Sequence, residues 1–134
     1  MKKTMSPYYL EIDKTVSTPY VLIDEANNLM KFDGESFHEN TLEFFRDIIS
    51  WLDQYLSCEH EPLTFECALN YFNSSTSKIL FDMLEKMDES VDDSGKVIVN
   101  WYVRRGNELM YELHEDLLED FNNLEVVLIE MEVF

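Results

Sequence analysis

Between positions 63 and 72 the chain sets Leu63, Phe65, Cys67 and Leu69 at alternate positions, the period of a strand with one buried face. A few residues later the period changes. Ile79, Leu80, Met83, Leu84 and Met87 recur at intervals of three and four, the pattern of a helix packing one face on a core. Upstream, residues 8–12, 20–24 and 29–32 read as three short extended pieces, with Asn27-Asn28 as the hairpin turn between the last two. A long helix is expected over residues 40–56. Leu42, Phe45, Ile49, Leu52 and Leu56 form one of its stripes, and Phe44, Ile48, Trp51 and Tyr55 a second. Such a helix is either deeply buried or offers a face to another protein, and burial is the default. Downstream, the acidic stretch 88–95 reads as a solvated loop. Residues 96–103 then read as a buried strand, 107–121 as a helix with Leu109, Leu113 and Leu117 inward, and 124–131 as a final strand. The order β-β-β-α-β-α-β-α-β predicts an α/β fold, a single-domain mixed and largely parallel sheet covered by helices.

The junction between the fourth strand and the second helix carries the most distinctive chemistry. Asn73, Ser74, Ser75, Thr76 and Ser77 follow one another, with Lys78 one helical turn after Ser74. Asn73 and Ser74 fall where an N-cap belongs, beside backbone N–H groups that lack intrahelical acceptors and at the positive end of the helix dipole. Capping needs one or two such residues. Five in succession also suit an anion held at the helix start, including a phosphate carried by one of the hydroxyls.

Composition narrows the field. At 134 residues, 46% of them hydrophobic and 13% aromatic, the chain can bury a core and is expected to form one domain spanning 1–134. The formal net charge of −18, from 28 acidic against 10 basic residues, repels nucleic-acid phosphates and anionic lipid heads, so neither is an expected partner. No run approaches the roughly 20 apolar residues that span a bilayer, and Met1-Lys2-Lys3 leads into polar residues, so a cytoplasmic location is expected. Cys58 and Cys67 make no disulfide framework, and Cys67 lies on the inward register of its strand. The acids of 88–95 fail the calcium-loop spacing, and Cys58-Glu59-His60 reads as a solvated turn, so neither a metal nor a cofactor is expected. His38, His60 and His114 stand at no catalytic spacing. The acid pairs Glu115-Asp116 and Glu119-Asp120 read as the wet face of the last helix, and no enzyme activity is expected.

The segment 71–78, Tyr-Phe-Asn-Ser-Ser-Thr-Ser-Lys, resembles the Asn-Thr-Ser-Ser-x-Lys signature of the SiaC family of regulatory phosphoproteins. Thr15-Val16-Ser17-Thr18-Pro19-Tyr20-Val21 is similar to that family's Thr-x-x-Thr-Pro-x-Val opening, and residues 34–40 to its Gly-x-Ser-aromatic-Pro-Glu-Asn turn. Trp101 and the run 107–115, with Met110, Glu112 and Glu115, resemble its last helix. The departures are specific. Ser74 stands where the family has its phosphorylated threonine, His38 replaces a proline, Arg104 and Arg105 occupy an acidic loop, and His114 replaces a frequent glycine.

The resemblance implies a phosphorylation-controlled partner switch without catalytic activity. Ser74 would be the acceptor, with Ser75 and Thr76 as alternatives, and Asn73, Lys78, Thr15, Thr18 and Pro19 would flank it or touch a partner. The implied partners are a serine/threonine kinase of the histidine-kinase-like ATPase type, a PP2C-type phosphatase, and a diguanylate cyclase promoted by the unphosphorylated form. The element order also resembles the STAS-like anti-sigma-factor antagonists, in which a phosphorylatable residue begins a helix after a strand. That likeness implies the alternative, an antagonist that controls transcription by sequestering a kinase.

Overall fold

A computed structural model describes residues 6–132. Its strands are β1 (Tyr9–Ile12), β2 (Tyr20–Asp24), β3 (Leu29–Ser36), β4 (Leu63–Phe72), β5 (Val97–Arg104) and β6 (Glu125–Met131). Its helices are α1 (Thr41–Leu56), α2 (Ser74–Ser94) and α3 (Glu108–Asp120), with a short 3-10 turn at Glu25–Asn27. The six strands form one sheet in chain order, β1-β2-β3 antiparallel and β3-β4-β5-β6 parallel. The hairpin between β2 and β3 closes through Asn28, whose φ of 54° is the left-handed conformation asparagine tolerates better than most residues.

Each parallel strand is added on the same side of the last, and right-handed crossovers then place every connecting helix on the same face of the sheet. The core agrees with this. Val21 and Ile23 of β2, Met30 and Phe32 of β3, Phe65 and Cys67 of β4, and Val99 and Trp101 of β5 pack in one cluster with side chains of all three helices. The helices therefore cover one face, where the alternation alone leaves both open to covering. The opposite face carries the in-register row Lys31, Glu66, Asn100 and Val127. Its polar groups satisfy one another: Asn100 Nδ2 and the Tyr102 hydroxyl donate to Glu66 Oε2 at 2.8 and 3.2 Å. Toward β1, the Tyr20 hydroxyl donates to Glu11 at 2.6 Å, and that bond to a carboxylate pushes its pKa up to about 12.

Three local expectations change. Residues 88–94 continue α2 and do not form a loop. Met87 and Val91 extend its apolar stripe onto the core, and Asn123, before β6, donates its backbone N–H and Nδ2 to Asp88 at 2.9 and 3.2 Å. The helix stops at Gly95, whose φ of 151° and close approach to the His60 carbonyl exclude a side chain: a Cβ there would lie 2.6 Å from that oxygen. In α3, Leu109 points outward at 52% exposure and Met110 is buried in its place. The two stripes of α1 resolve into burial, except that Leu42, in its first turn, remains 64% exposed. Cys67 is wholly buried, and desolvation pushes its thiol up to about 12, which keeps it protonated and inert.

β3 also runs farther than its hydrophobic alternation indicates. It reaches Ser36 by way of a bulge at Gly34/Glu35, with Gly34 at φ 111°. The register jumps from Gly34 opposite Leu69 to Glu35 opposite Tyr71, so the extra residue is Asn70 of β4, while Ser36 is buried in step with Met30, Phe32 and Gly34. A Cβ at Gly34 would come no nearer than 3.5 Å to Lys14 Cδ and 4.0 Å to Lys14 Nζ and Pro19 Cα, ordinary contact distances, so the constraint is conformational, not steric. Gly34→Ala is therefore expected to lower unfolding stability by about 1–3 kcal/mol, the cost of holding an alanine at that φ. A urea unfolding midpoint equal to that of the parent protein would show that the bulge relaxes freely.

Candidate functional site

β4 delivers the chain to α2 through Asn73, which is extended at φ −81° and ψ 177° and serves as the N-cap. Its Oδ1 accepts from Thr76 N at 2.9 Å, its carbonyl accepts from Ser77 N at 2.9 Å, and its own N–H donates to the Ser36 carbonyl at 3.1 Å. Ser74 and Ser75 are the first two helical residues. Both are exposed, and at those positions the backbone N–H groups have no intrahelical acceptor. Thr76 turns the other way. It is 1% exposed, its hydroxyl lies 2.8 Å from Ser36 Oγ, and it donates to the Ser36 carbonyl at 3.1 Å. The hydroxyl run thus separates into an outward pair, Ser74 and Ser75, and an inward anchor at Thr76, whose oxygen no enzyme reaches in the folded chain.

Asn73→Ala removes the acceptor for Thr76 N while the rest of the junction stays in place. The expected loss is about 1 kcal/mol of unfolding stability, the usual worth of such a cap. Loss of less than a few tenths would mean that solvent replaces it.

The loop before β2 reaches the same end of the sheet. Thr15 Oγ lies 2.6 Å from Thr18 Oγ and accepts from Thr18 N at 3.0 Å, and Thr18 and Pro19 are buried. The Ser17 carbonyl accepts from Phe37 N at 2.8 Å, just past the Ser36 that holds Thr76 and Asn73. Thr15, Thr18 and Pro19 are therefore connected to Ser74 through the end of β3, with Thr18 and Pro19 as structural supports. At the start of α3, Asn107 Nδ2 donates to the Asn70 carbonyl at 3.0 Å. Lys78 is exposed and pairs loosely with Asp82 at 3.6 Å on its own helix. His38, standing in for proline, holds its turn by hydrogen bonds: its Nδ1 accepts from Asn40 N at 3.1 Å and its carbonyl from the Thr41 hydroxyl at 2.7 Å.

The rim so assembled, at the C-terminal ends of the parallel strands, is also apolar. Val16, Phe37, Tyr71 and Leu109 lie on it with exposures of 85, 37, 51 and 52%. The rings of Phe37 and Tyr71 meet edge to face at 5.9 Å. Periodicity singles out neither ring. The available signal is the adjacent pair Tyr71-Phe72, since neighbouring strand residues point to opposite faces and only one ring can enter the core. Ser36 is equally inconspicuous as an anchor, because its partner lies forty residues away. Arg104, at the end of β5, and Arg105, whose Nε is 4.0 Å from Glu132, bring positive charge to the same end. Among the described residues no group of three His, Cys, Asp or Glu side chains could hold a metal ion, and no helix is long and apolar enough to cross a membrane.

The exposed Ser74 and Ser75 hydroxyls thus stand at a helix start, at the same end of the sheet as the solvent-facing Phe37, Tyr71 and Leu109. The chain matches the description "SiaC family regulatory phosphoprotein" over residues 12–131, and it belongs to that family. It is 32% identical over 111 residues to an uncharacterized protein of Pseudomonas aeruginosa strain UCBPP-PA14, covering 83% of this chain and 88% of that one. Apo-SiaC from Pseudomonas aeruginosa superposes with a TM-score of 0.80 at 26% identity, over 91% of this chain and 98% of that one. The crystal structure of the diguanylate cyclase SiaD with its activator SiaC, from the same organism, gives a match with TM-score 0.84 and 30% identity, over 91% and 99% of the two chains.

Proposed function

We propose that this protein is a non-enzymatic, cytoplasmic regulator that binds and promotes a diguanylate cyclase when unmodified and releases it when Ser74 is phosphorylated. The observation that carries the reading is the position of Ser74: first residue of α2, exposed, on a rim of apolar side chains, beside an N-cap that is already satisfied. Partner control follows from charge. A phosphate adds about −1.5 to −2 charges, and burying them in a protein interface carries a desolvation cost that a hydroxyl does not. The helix start tolerates the same group, because the Ser74 and Ser75 N–H groups and the dipole favour an anion, so the modified protein stays folded.

The choice of output partner is supported by the Pseudomonas aeruginosa complex, in which SiaC is bound to the cyclase SiaD as its activator. A serine/threonine kinase of the histidine-kinase-like ATPase type would add the phosphate, and a PP2C-type phosphatase would remove it. Ser75 is the remaining accessible alternative acceptor. Adding the unmodified protein to a diguanylate cyclase should raise the rate of cyclic di-GMP formation in a saturable manner. An unchanged rate at every ratio of the two proteins would rule out the cyclase as the output.

A further inference from the structure

α1 and α2 follow parallel strands and so run in the same direction, and an open groove of about 310 Å³ lies between them. Its apolar part is made by Leu42 and Ile49 of α1 with Ile79 and Met83 of α2. Its remaining lining is acidic: Asp82, Glu85 and Glu89, with Lys86 as the one cation. That cation is engaged, since Lys86 Nζ lies 2.8 Å from Asp53 across the two helices. The groove begins at the rim. Ile79 stands one turn beyond Ser75 on the same stripe of α2, and Leu42, 64% exposed, stands in the first turn of α1.

The shape and the charge select an occupant. The volume is at the low end for a small-molecule pocket, which suits a few apolar side chains of a longer segment better than a ligand enclosed on its own. A trough between two parallel helices accepts a third helix, whose anchors recur at three and four residues. Asp82 is loosely paired with Lys78, but a purely apolar occupant would strip water from Glu85 and Glu89 without replacing it, whereas lysine or arginine beside the anchors would pair with them. The net charge of −18 adds a long-range pull of the same sign.

We propose that this groove seats a basic amphipathic helix of the same partner whose hold Ser74 controls, an inference that rests on the regulatory function above. The rim then reads the phosphate, and the groove supplies a second anchor that depends on salt.

The test uses a diguanylate cyclase as probe and compares the parent protein with a Glu85→Lys/Glu89→Lys variant, both positions being exposed. A control, Glu115→Lys/Glu119→Lys, moves the same charge on the exposed face of α3. The groove variant should bind about tenfold more weakly, with a flatter salt dependence and unchanged unfolding. Leu42→Ala, which alters the apolar floor without touching charge, should also weaken binding. If the parent protein binds while the groove variant and Leu42→Ala bind equally well, or if the control weakens binding as much as the groove variant, the groove is overturned and the regulatory function stands. If the parent protein itself fails to bind, the regulatory function falls and the groove's partner with it.

Discussion

Ser74→Ala protein, incubated with ATP and the kinase that modifies the parent chain, is expected to take up almost no phosphate. The loss should be at least tenfold in stoichiometry, because the other hydroxyls are not equivalent to this one. Thr76 is sealed against Ser36, and Ser77 is half-buried behind the cap, so only Ser75 can substitute. Mass spectrometry of the modified peptide distinguishes the cases. Phosphate retained at full stoichiometry on Ser75 would move the acceptor by one residue and leave the rim intact, whereas phosphate on a residue outside the junction would separate the modification from the recognition surface. The substitution itself should leave unfolding nearly unchanged, since Asn73 already caps the helix and Ser74 is exposed.

Trp101→Ala should do the reverse, sparing the acceptor and undoing its scaffold. Trp101 is fully buried on β5, in register with Cys67 of β4 and Leu128 of β6, and its Nε1 donates to the Met110 carbonyl at 3.0 Å. The indole therefore holds α3 to the sheet. Truncation leaves a cavity in the centre of the core, and large aromatic-to-alanine changes cost about 3–5 kcal/mol. That is a large share of the roughly 5–15 kcal/mol by which domains are stable. Urea unfolding should show the midpoint falling steeply, and a shift equivalent to less than about 1 kcal/mol would mean that the core closes around the gap. Trp101→Phe should fall between, losing the hydrogen bond and part of the volume.

The sequence is most legible where a local rule and the tertiary fold agree. The alternation of Leu63, Phe65, Cys67 and Leu69, the apolar stripe from Ile79 to Met87, and the polar residues between them place β4, the start of α2 and the N-cap at Asn73. It is least legible where distant parts of the chain decide. Residues 88–94 look like a loop by composition, yet Met87, Val91 and the bonds from Asn123 to Asp88 keep them helical. Leu109 and Met110 are one step of about 100° apart on a helix, and either completes an apolar stripe with Leu113 and Leu117, so the pattern alone does not decide which of the two turns inward. The inward turn of Thr76 depends on Ser36, a polar residue forty positions earlier in the chain that continues the inward register of Met30, Phe32 and Gly34. Hydrophobic periodicity records none of these.

Charge placement on the rim separates this chain from what the family signature alone conveys. Ser74 in place of threonine keeps the oxygen and drops a methyl, while Arg104 and Arg105 change the sign of a neighbouring loop. Ser74, Arg104 and Arg105 are all exposed, so on the function proposed above these alterations bear on which protein is recognised more than on whether the chain folds.

Whether phosphate on Ser74 governs partner binding is decided by calorimetric titration of a diguanylate cyclase with the protein in two forms, unmodified and stoichiometrically phosphorylated on Ser74. Saturable binding is expected for the unmodified form, and affinity weaker by at least about a hundredfold for the phosphorylated form, equivalent to roughly 2.7 kcal/mol, while circular dichroism shows both equally folded. Equal affinity of the two folded forms would refute the phosphate switch.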